Sequence, residues 1–203
     1  MKLTKQIYSF FSKQICLLEV ARDSSITLIK IIHTSFYCFC ICPMNKDTFL
    51  VGTVDQRPPV RTVTVQGQEG YLQHGSLPNK TYDVGESWCT FVQHVKTVVF
   101  VDRNAHSVHF YNLDNGTNVT VQNRDISRPR GVCGGGDRGS VFLCSSDTGT
   151  IVQMSARGEL VKVHSVDMVN PRMISVSKDG SRIVVANSIY DEMPILKIFR
   201  VEY

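Results

Sequence analysis

The chain has 203 residues, enough for one domain with a short appendage. With 42% hydrophobic and 20% charged residues, its composition excludes a disordered tail, a collagen-like fibre and a polytopic membrane protein. The net charge of +4 is uneven: residues 1–45 carry five bases and two acids, leaving 17 bases and 16 acids for the rest, a body too neutral to argue for a nucleic-acid partner.

Leu3, Ile7, Phe10, Phe11, Leu17, Leu18 and Ala21 recur at helical spacing and predict an amphipathic helix over residues 3–21. Lys13 interrupts this apolar run and no small-residue cleavage site follows, so the segment does not read as a signal peptide. From Ile26 to Cys42 the chain is at its most apolar, but seventeen residues containing Lys30 and His33 fall short of a membrane span. Within that stretch, Tyr37 to Cys42 predicts a strand, followed by a turn at Pro43-Met44-Asn45. Alternation would put Cys38, Cys40 and Cys42 on one side of this strand, and their one-residue spacing without a second ligand pair argues against zinc. The seven cysteines, odd in number and mostly scattered, suit a reducing compartment. Phe49-Leu50-Val51 and Val60 to Val65 predict further strands, with a turn at Gln66-Gly67-Gln68. The sequons at Asn79, Asn115 and Asn118 read as ordinary turn chemistry.

An internal repeat organises the remainder. Residues 129–145, PRGVCGGGDRGSVFLCS, match residues 171–187, PRMISVSKDGSRIVVAN, at an offset of 42. The match pairs Pro129 with Pro171, Arg130 with Arg172, Asp137 with Asp179, and Val141-Phe142-Leu143 with Ile183-Val184-Val185. The same step toward the N-terminus places Val99-Phe100-Val101 on that triad. A second apolar alternation follows each triad: Val108-x-Phe110, Ile151-Val152-x-Met154 and Ile195-Leu196-x-Ile198. Turns follow at Asp114-Asn115-Gly116 and Ala156-Arg157-Gly158. A period in the forties, built of short strands and Gly/Asn/Asp turns, predicts β-propeller blades. Continuous triads mark strands covered on both faces by neighbouring blades, so Phe142 and Val184 are expected in the core. The chain thus divides into an N-terminal extension, residues 1–35, and propeller repeats over 36–203, with blades near 36–83, 84–126, 127–168 and 169–203.

Candidate chemistry is sparse. Gly134-Gly135-Gly136-Asp137-Arg138-Gly139 lacks the Gly-Lys-Ser/Thr ending and following helix of a phosphate loop, and reads as a turn between strands. His106-x-x-His109, with His94 upstream, has a strand spacing that turns the two imidazoles apart, and no Gly-x-Ser-x-Gly elbow occurs. No catalytic residue and no metal ligand is assigned. A surface is the better candidate, because loops leading into first strands and loops joining second to third strands share one propeller face. That face carries Arg103, Asn104, His106, Arg130, Arg172 and Tyr190 as candidate partner-binding residues, with Ser146, Asp147 and Asp191 beside them.

Over roughly residues 40–203 the pattern resembles the NHL-type propeller repeat. The resemblance rests on the Pro-x-x-Val/Ile lead-ins, the Asp179-Gly180 turn, the Val-Phe-Val-Asp stretch ending at Asp102 and the Val108-x-Phe110 strand. Its fullest match is Gly139 to Met154 followed by Arg157-Gly158-Glu159-Leu160. The chain is similar to the C-terminal region of tripartite-motif proteins, where such repeats follow RING, B-box and coiled-coil segments. It departs from them in lacking zinc-module spacing and the length for the family's six blades, so their ubiquitin-ligase activity does not carry over. The expected molecule is an all-β propeller of about four blades, incomplete, with a short helical N-terminal extension. It is expected to be a cytoplasmic, non-catalytic scaffold for a protein partner, without cofactor or membrane attachment. An RNA-binding propeller is the alternative reading, and a propeller hydrolase a third that lacks its metal carboxylates. Open propeller edges are expected to self-associate unless residues 1–35 cover them.

Overall fold

Each predicted repeat folds as an antiparallel sheet. The computed structural model describes residues 4–8, 12–21, 23–54, 58–72, 77, 88–135, 139–177, 179–187 and 195–201. The first sheet runs in sequence order through β1 (Thr4–Tyr8), β2 (Ser12–Val20), β3 (Ile26–Pro43), β4 (Thr48–Thr53), β5 (Val60–Thr64) and β6 (Glu69–Gly70). The second holds β7 (Cys89–Val92), β8 (Thr97–Asp102), β9 (Ser107–Asn112) and β10 (Asn118–Gln122). The third holds β11 (Pro129–Gly135), β12 (Ser140–Ser145), β13 (Thr150–Ser155) and β14 (Leu160–Ser165). The fourth holds β15 (Pro171–Val176), β16 (Arg182–Asn187) and β17 (Leu196–Arg200). The first strands of neighbouring sheets, β3, β7, β11 and β15, touch in series, so the sheets stand as blades around a common centre. This is an all-β, four-blade propeller arrangement. One turn of 3-10 helix, Gln93–Val95, interrupts the strands, and no helix among the described residues is long and apolar enough to cross a membrane.

Alternation along the second strand of each blade distributes the core. In β12, Val141 and Leu143 join Val99, Val101, Val108 and Phe110 between the second and third blades. Phe142 turns the other way, to Ile151, Ile183 and Val185 between the third and fourth. In β8, Val98 and Phe100 face the first blade beside Leu50 and Cys89, while Val99 faces the third. The second blade therefore stands one residue away from the predicted step. Asp102 and Ser145 both close their strands, opposite Ser107 and Thr150, and they lie 43 residues apart. The counterpart of Val141-Phe142-Leu143 is Val98-Val99-Phe100, because a slip of one residue exchanges the two faces of a strand. Val184 also departs from expectation. It occupies the place of Phe142 but is only half-buried, since no blade follows the fourth among the described residues; Ile183 and Val185 carry the core instead.

Among the described residues, strands stand where the spacing predicts an N-terminal helix. Residues 4–8 and 12–20 are strands β1 and β2, and β2 pairs with the first half of β3, Ile15 opposite Ile32 and Leu17 opposite Lys30. Ile15, Leu17, Ile32 and Phe36 pack on Phe49, Val51 and Val63, so this hairpin covers the face of the first blade turned away from the second. Polar contacts pin it there. Glu69 accepts hydrogen bonds from the Ser35 N–H and hydroxyl and pairs with Arg61 at 3.4 Å. The Arg61 guanidinium lies 4.4 Å from the Phe36 ring and 4.7 Å from the Tyr71 ring. A register shift between Cys38 and Cys40 separates the three thiols expected on one side: Cys38 joins the capped cluster, Cys40 and Cys42 the second-blade side.

Equivalent positions in consecutive blades provide a test. Phe142→Ala should cost about 3–5 kcal/mol of folding free energy, whereas Val184→Ala should cost only about 1 kcal/mol, as read from urea unfolding midpoints. Equal losses would contradict the assignment of faces.

Candidate functional site

The loops at one end of the blades are shaped by a recurring polar residue. The second strands close with Thr53, Asp102, Ser145 and Asn187, all buried. Buried polar atoms need partners, and these find them in the loops at this end of the blades. Thr53 Oγ1 lies 3.1 Å from the carbonyl oxygens of Pro58 and Pro59. Asp102 Oδ1 accepts the N–H groups of Asn104 and Ala105 at 3.1 and 2.9 Å. Ser145 Oγ accepts the Ser127 N–H at 2.8 Å and the Thr148 hydroxyl at 2.7 Å. Asn187 Oδ1 accepts the Ile195 N–H at 2.7 Å.

Further bonds tie each loop to the next blade. His106 Nδ1 accepts the Arg128 N–H at 3.2 Å, holding the β8–β9 turn against the segment leading into β11. Ser146 Oγ donates to the Pro171 carbonyl at 2.9 Å, doing the same for β15. Asp147 accepts the Ser127 hydroxyl at 3.0 Å and stands 3.7 Å from the Arg128 guanidinium.

On this rim the structure brings together five of the six predicted residues. Arg130 and Arg172 hold the same place in β11 and β15, beside register shifts that follow Pro129 and Pro171. Their strands approach so closely that a Cβ on Gly131 would lie 2.5 Å from the Arg172 carbonyl oxygen, which only glycine allows. Both arginines are half-buried. Arg103 opens the β8–β9 turn, and its Nε is buried with no hydrogen-bond partner among the described residues. Asn104 is exposed, and His106, at φ +51°, is engaged by Arg128. Tyr190 and Asp191 lie outside the described residues, as do Gly136, Asp137, Arg138 and Asn79. Sequence reasoning missed Gly131, Ser127 and Arg128; the glycine after an aligned Pro-Arg pair was the signal for the first, and the other two left none.

The remaining reactive groups are dispersed or taken up by packing. His94 lies in the turn before β8 and His106 in the turn after it, so the length of that strand separates them. His109 stacks on Phe100 with ring centroids 4.6 Å apart, and its nitrogens lie 3.1 Å from Ser107 Oγ and 2.9 Å from Thr120 Oγ1. Burial lowers its pKa, against a smaller opposing pull from Asp102. Cys40 Sγ accepts the Cys89 N–H at 3.1 Å and stands 3.2 Å from Cys89 Sγ. Burial pushes the Cys89 and Cys144 thiols up, keeping them protonated and weakly nucleophilic near neutrality. Among the described residues, no group of three or more His, Cys, Asp or Glu is placed to hold a metal ion.

No family model matches the sequence, and no curated protein matches it. Solved structures do. Virginiamycin B lyase from Staphylococcus aureus is 14% identical with a TM-score of 0.60, over 96% of this chain and 65% of that one. A putative 6-phosphogluconolactonase from Bacteroides uniformis is 15% identical with a TM-score of 0.63, over 97% and 63%. A functionally unknown protein from Desulfotomaculum acetoxidans is 12% identical with a TM-score of 0.62, over 96% and 66%. The chain has the propeller fold. It spans less than two thirds of the length of these structures, and at such identity the likeness concerns the fold alone.

The buried imidazole makes stability depend on pH. Because the His109 pKa in the folded chain lies below its ordinary value of about 6.5, the unfolded chain takes up the proton first. The contribution of the neutral ring is complete above about pH 6.5 and is lost as pH falls through the folded value. His164, lowered by burial and by Lys162, adds in the same direction. The urea midpoint should fall between about pH 7 and pH 5, and His109→Gln should remove part of that fall. An identical slope in the variant would exclude His109 as the cause.

Proposed function

We propose that this chain is a non-catalytic, cytoplasmic scaffold with an NHL-type propeller, and that its arginine rim binds an acidic surface of a protein partner. The observation that supports this reading is that Arg130 and Arg172 hold equivalent places at the start of β11 and β15, at the same end of the blades as Arg103 in the β8–β9 turn, whose Nε has no acceptor among the described residues. Among the described residues at this end of the blades, Asp147 stands by Arg128 and Asp167 by Lys197. Guanidinium groups grip carboxylates through paired, charge-assisted hydrogen bonds, and arginine is enriched among the residues that dominate binding energy.

The test is an affinity pull-down with mass spectrometry, run with and without RNase, on the wild type and on an Arg103→Ala/Arg130→Ala/Arg172→Ala variant. The variant should keep its circular dichroism spectrum and lose its protein partners, since a true anchor contributes about 2 kcal/mol or more. Solvated arginines would contribute only ~0–1 kcal/mol, and a variant that retained every partner would place binding elsewhere. The same guanidinium groups could hold phosphates; partners lost on RNase treatment, with retention on RNA falling steeply with salt, would replace the protein reading by the RNA one.

A further inference from the structure

Two thiols from different blades meet inside the interface between the first and second blades. Cys40 lies in β3 and Cys89 opens β7, 49 residues apart in sequence. Their sulfurs stand 3.2 Å apart, and the Cys89 N–H donates to Cys40 Sγ at 3.1 Å. Around them pack Leu50, Val60, Val98, Phe100 and Tyr111, a dry setting that suits an uncharged pair.

Neighbouring thiols have other contacts. The register shift after Cys38 leaves that side chain on the capped face, with its Sγ 3.4 Å from Thr34 Oγ1. Cys42 lies at the edge of the same cluster as Cys40, with its Sγ 3.8 Å from Thr90 Oγ1. Cys144 is buried between the third and fourth blades. A disulfide is about 2.05 Å long, so the Cys40 and Cys89 sulfurs need to approach by only about 1.2 Å to form one.

We propose that Cys40 and Cys89 are a redox-sensitive pair that a hydroperoxide converts into a disulfide, fastening the first blade to the second. Cys40 attacks first, because the Cys89 N–H points at its sulfur, whereas burial and the hydrogen bond to Cys40 hold the Cys89 thiol protonated. The Cys40 sulfur gives up its proton and attacks one peroxide oxygen. The O–O bond breaks, a sulfenic acid forms, and the second oxygen leaves as water with that proton. The Cys89 sulfur then attacks the sulfenic sulfur: the S–S bond forms, the S–O bond breaks, and the hydroxyl leaves as water with the Cys89 proton. Two thiols are oxidised, one peroxide is reduced and two waters are released. Burial slows the first step, while the second joins sulfurs already in contact. In a reducing compartment such a bond is a transient link that thiol reductants reopen, rather than a permanent brace.

The full chain, reduced and freed of reductant, is treated with hydrogen peroxide and digested for peptide mapping under non-reducing conditions. The map should show peptides joined through Cys40 and Cys89, and dithiothreitol should separate them. Cys40→Ala and Cys89→Ala should each abolish this link, and Cys38→Ala and Cys144→Ala should keep it. The wild-type map carries the test even where a substitution unfolds the chain. The oxidised wild type should also melt about 5 °C or more above the reduced form, because the bond closes a long loop of the unfolded chain. In Cys40→Ala, peroxide should produce no such rise. A link through Cys42 or another thiol, oxygenation of Cys40 without a cross-link, or an oxidised form that melts no higher than the reduced one would overturn the proposal.

Discussion

A twisted four-stranded sheet has two faces and no interior of its own, so a blade folds only where something covers each face. The chain meets this requirement by alternation within single strands. The central residue of a triad, Leu50, Val99 or Phe142, turns to the following blade, and its flanking residues turn to the preceding one. Three interfaces built this way join four blades. Glycine sets the spacing where backbones converge: Gly131 allows β11 to meet the backbone of Arg172, and a Cβ on Gly135 would strike the Phe142 ring at 2.5 Å. The hydrophobic effect holds the blades together, while these close approaches fix how near they stand.

The two ends of the series meet the requirement unequally. At the first blade, β2 and the first half of β3 fold over Phe49 and Val51 and keep them from water. The 18 residues of β3 are long enough for one half to serve this cap and the other to serve as the blade's first strand. The register shift at Cys38–Cys40 accommodates the change of role, because a bulge re-aims the side chains beyond it. Behind the fourth blade no such cover is present among the described residues, and Val184, Leu196 and Ile198 remain partly or largely in solvent. The same strand pattern therefore gives a core in the third blade and a surface in the fourth.

The blades were legible because their signals are local and repeated: an apolar triad, a Gly or Asn turn, a second alternation. Register was less so. A 42-residue step holds from the third blade to the fourth but is one residue too short from the second to the third, and apolar residues at every triad position hide the slip. The N-terminal segment misled for a related reason. Leu17-Leu18 and Phe10-Phe11 satisfy a helical spacing as easily as an alternating one, and only the partner strand, β3, decides between them. On the rim, the repeated Pro-Arg pair announced Arg130 and Arg172. The bond from the Arg128 N–H to His106 was invisible, since it joins residues of different blades whose contact exists only after packing.

The rim and the β17 end of the fourth blade differ in how they are held. Buried Thr53, Asp102, Ser145 and Asn187 hold the shape of the rim loops, and His106 and Ser146 lock two of them to the next blade. Loops fixed in this way have little conformational freedom left to lose. At β17, Leu196 and Ile198 are largely exposed, and a cleft opens beside the strand between the third and fourth blades. The rim and this cleft lie at opposite ends of β16, Asn187 at the rim and Arg182 at the other end, so a change at one leaves the packing at the other in place.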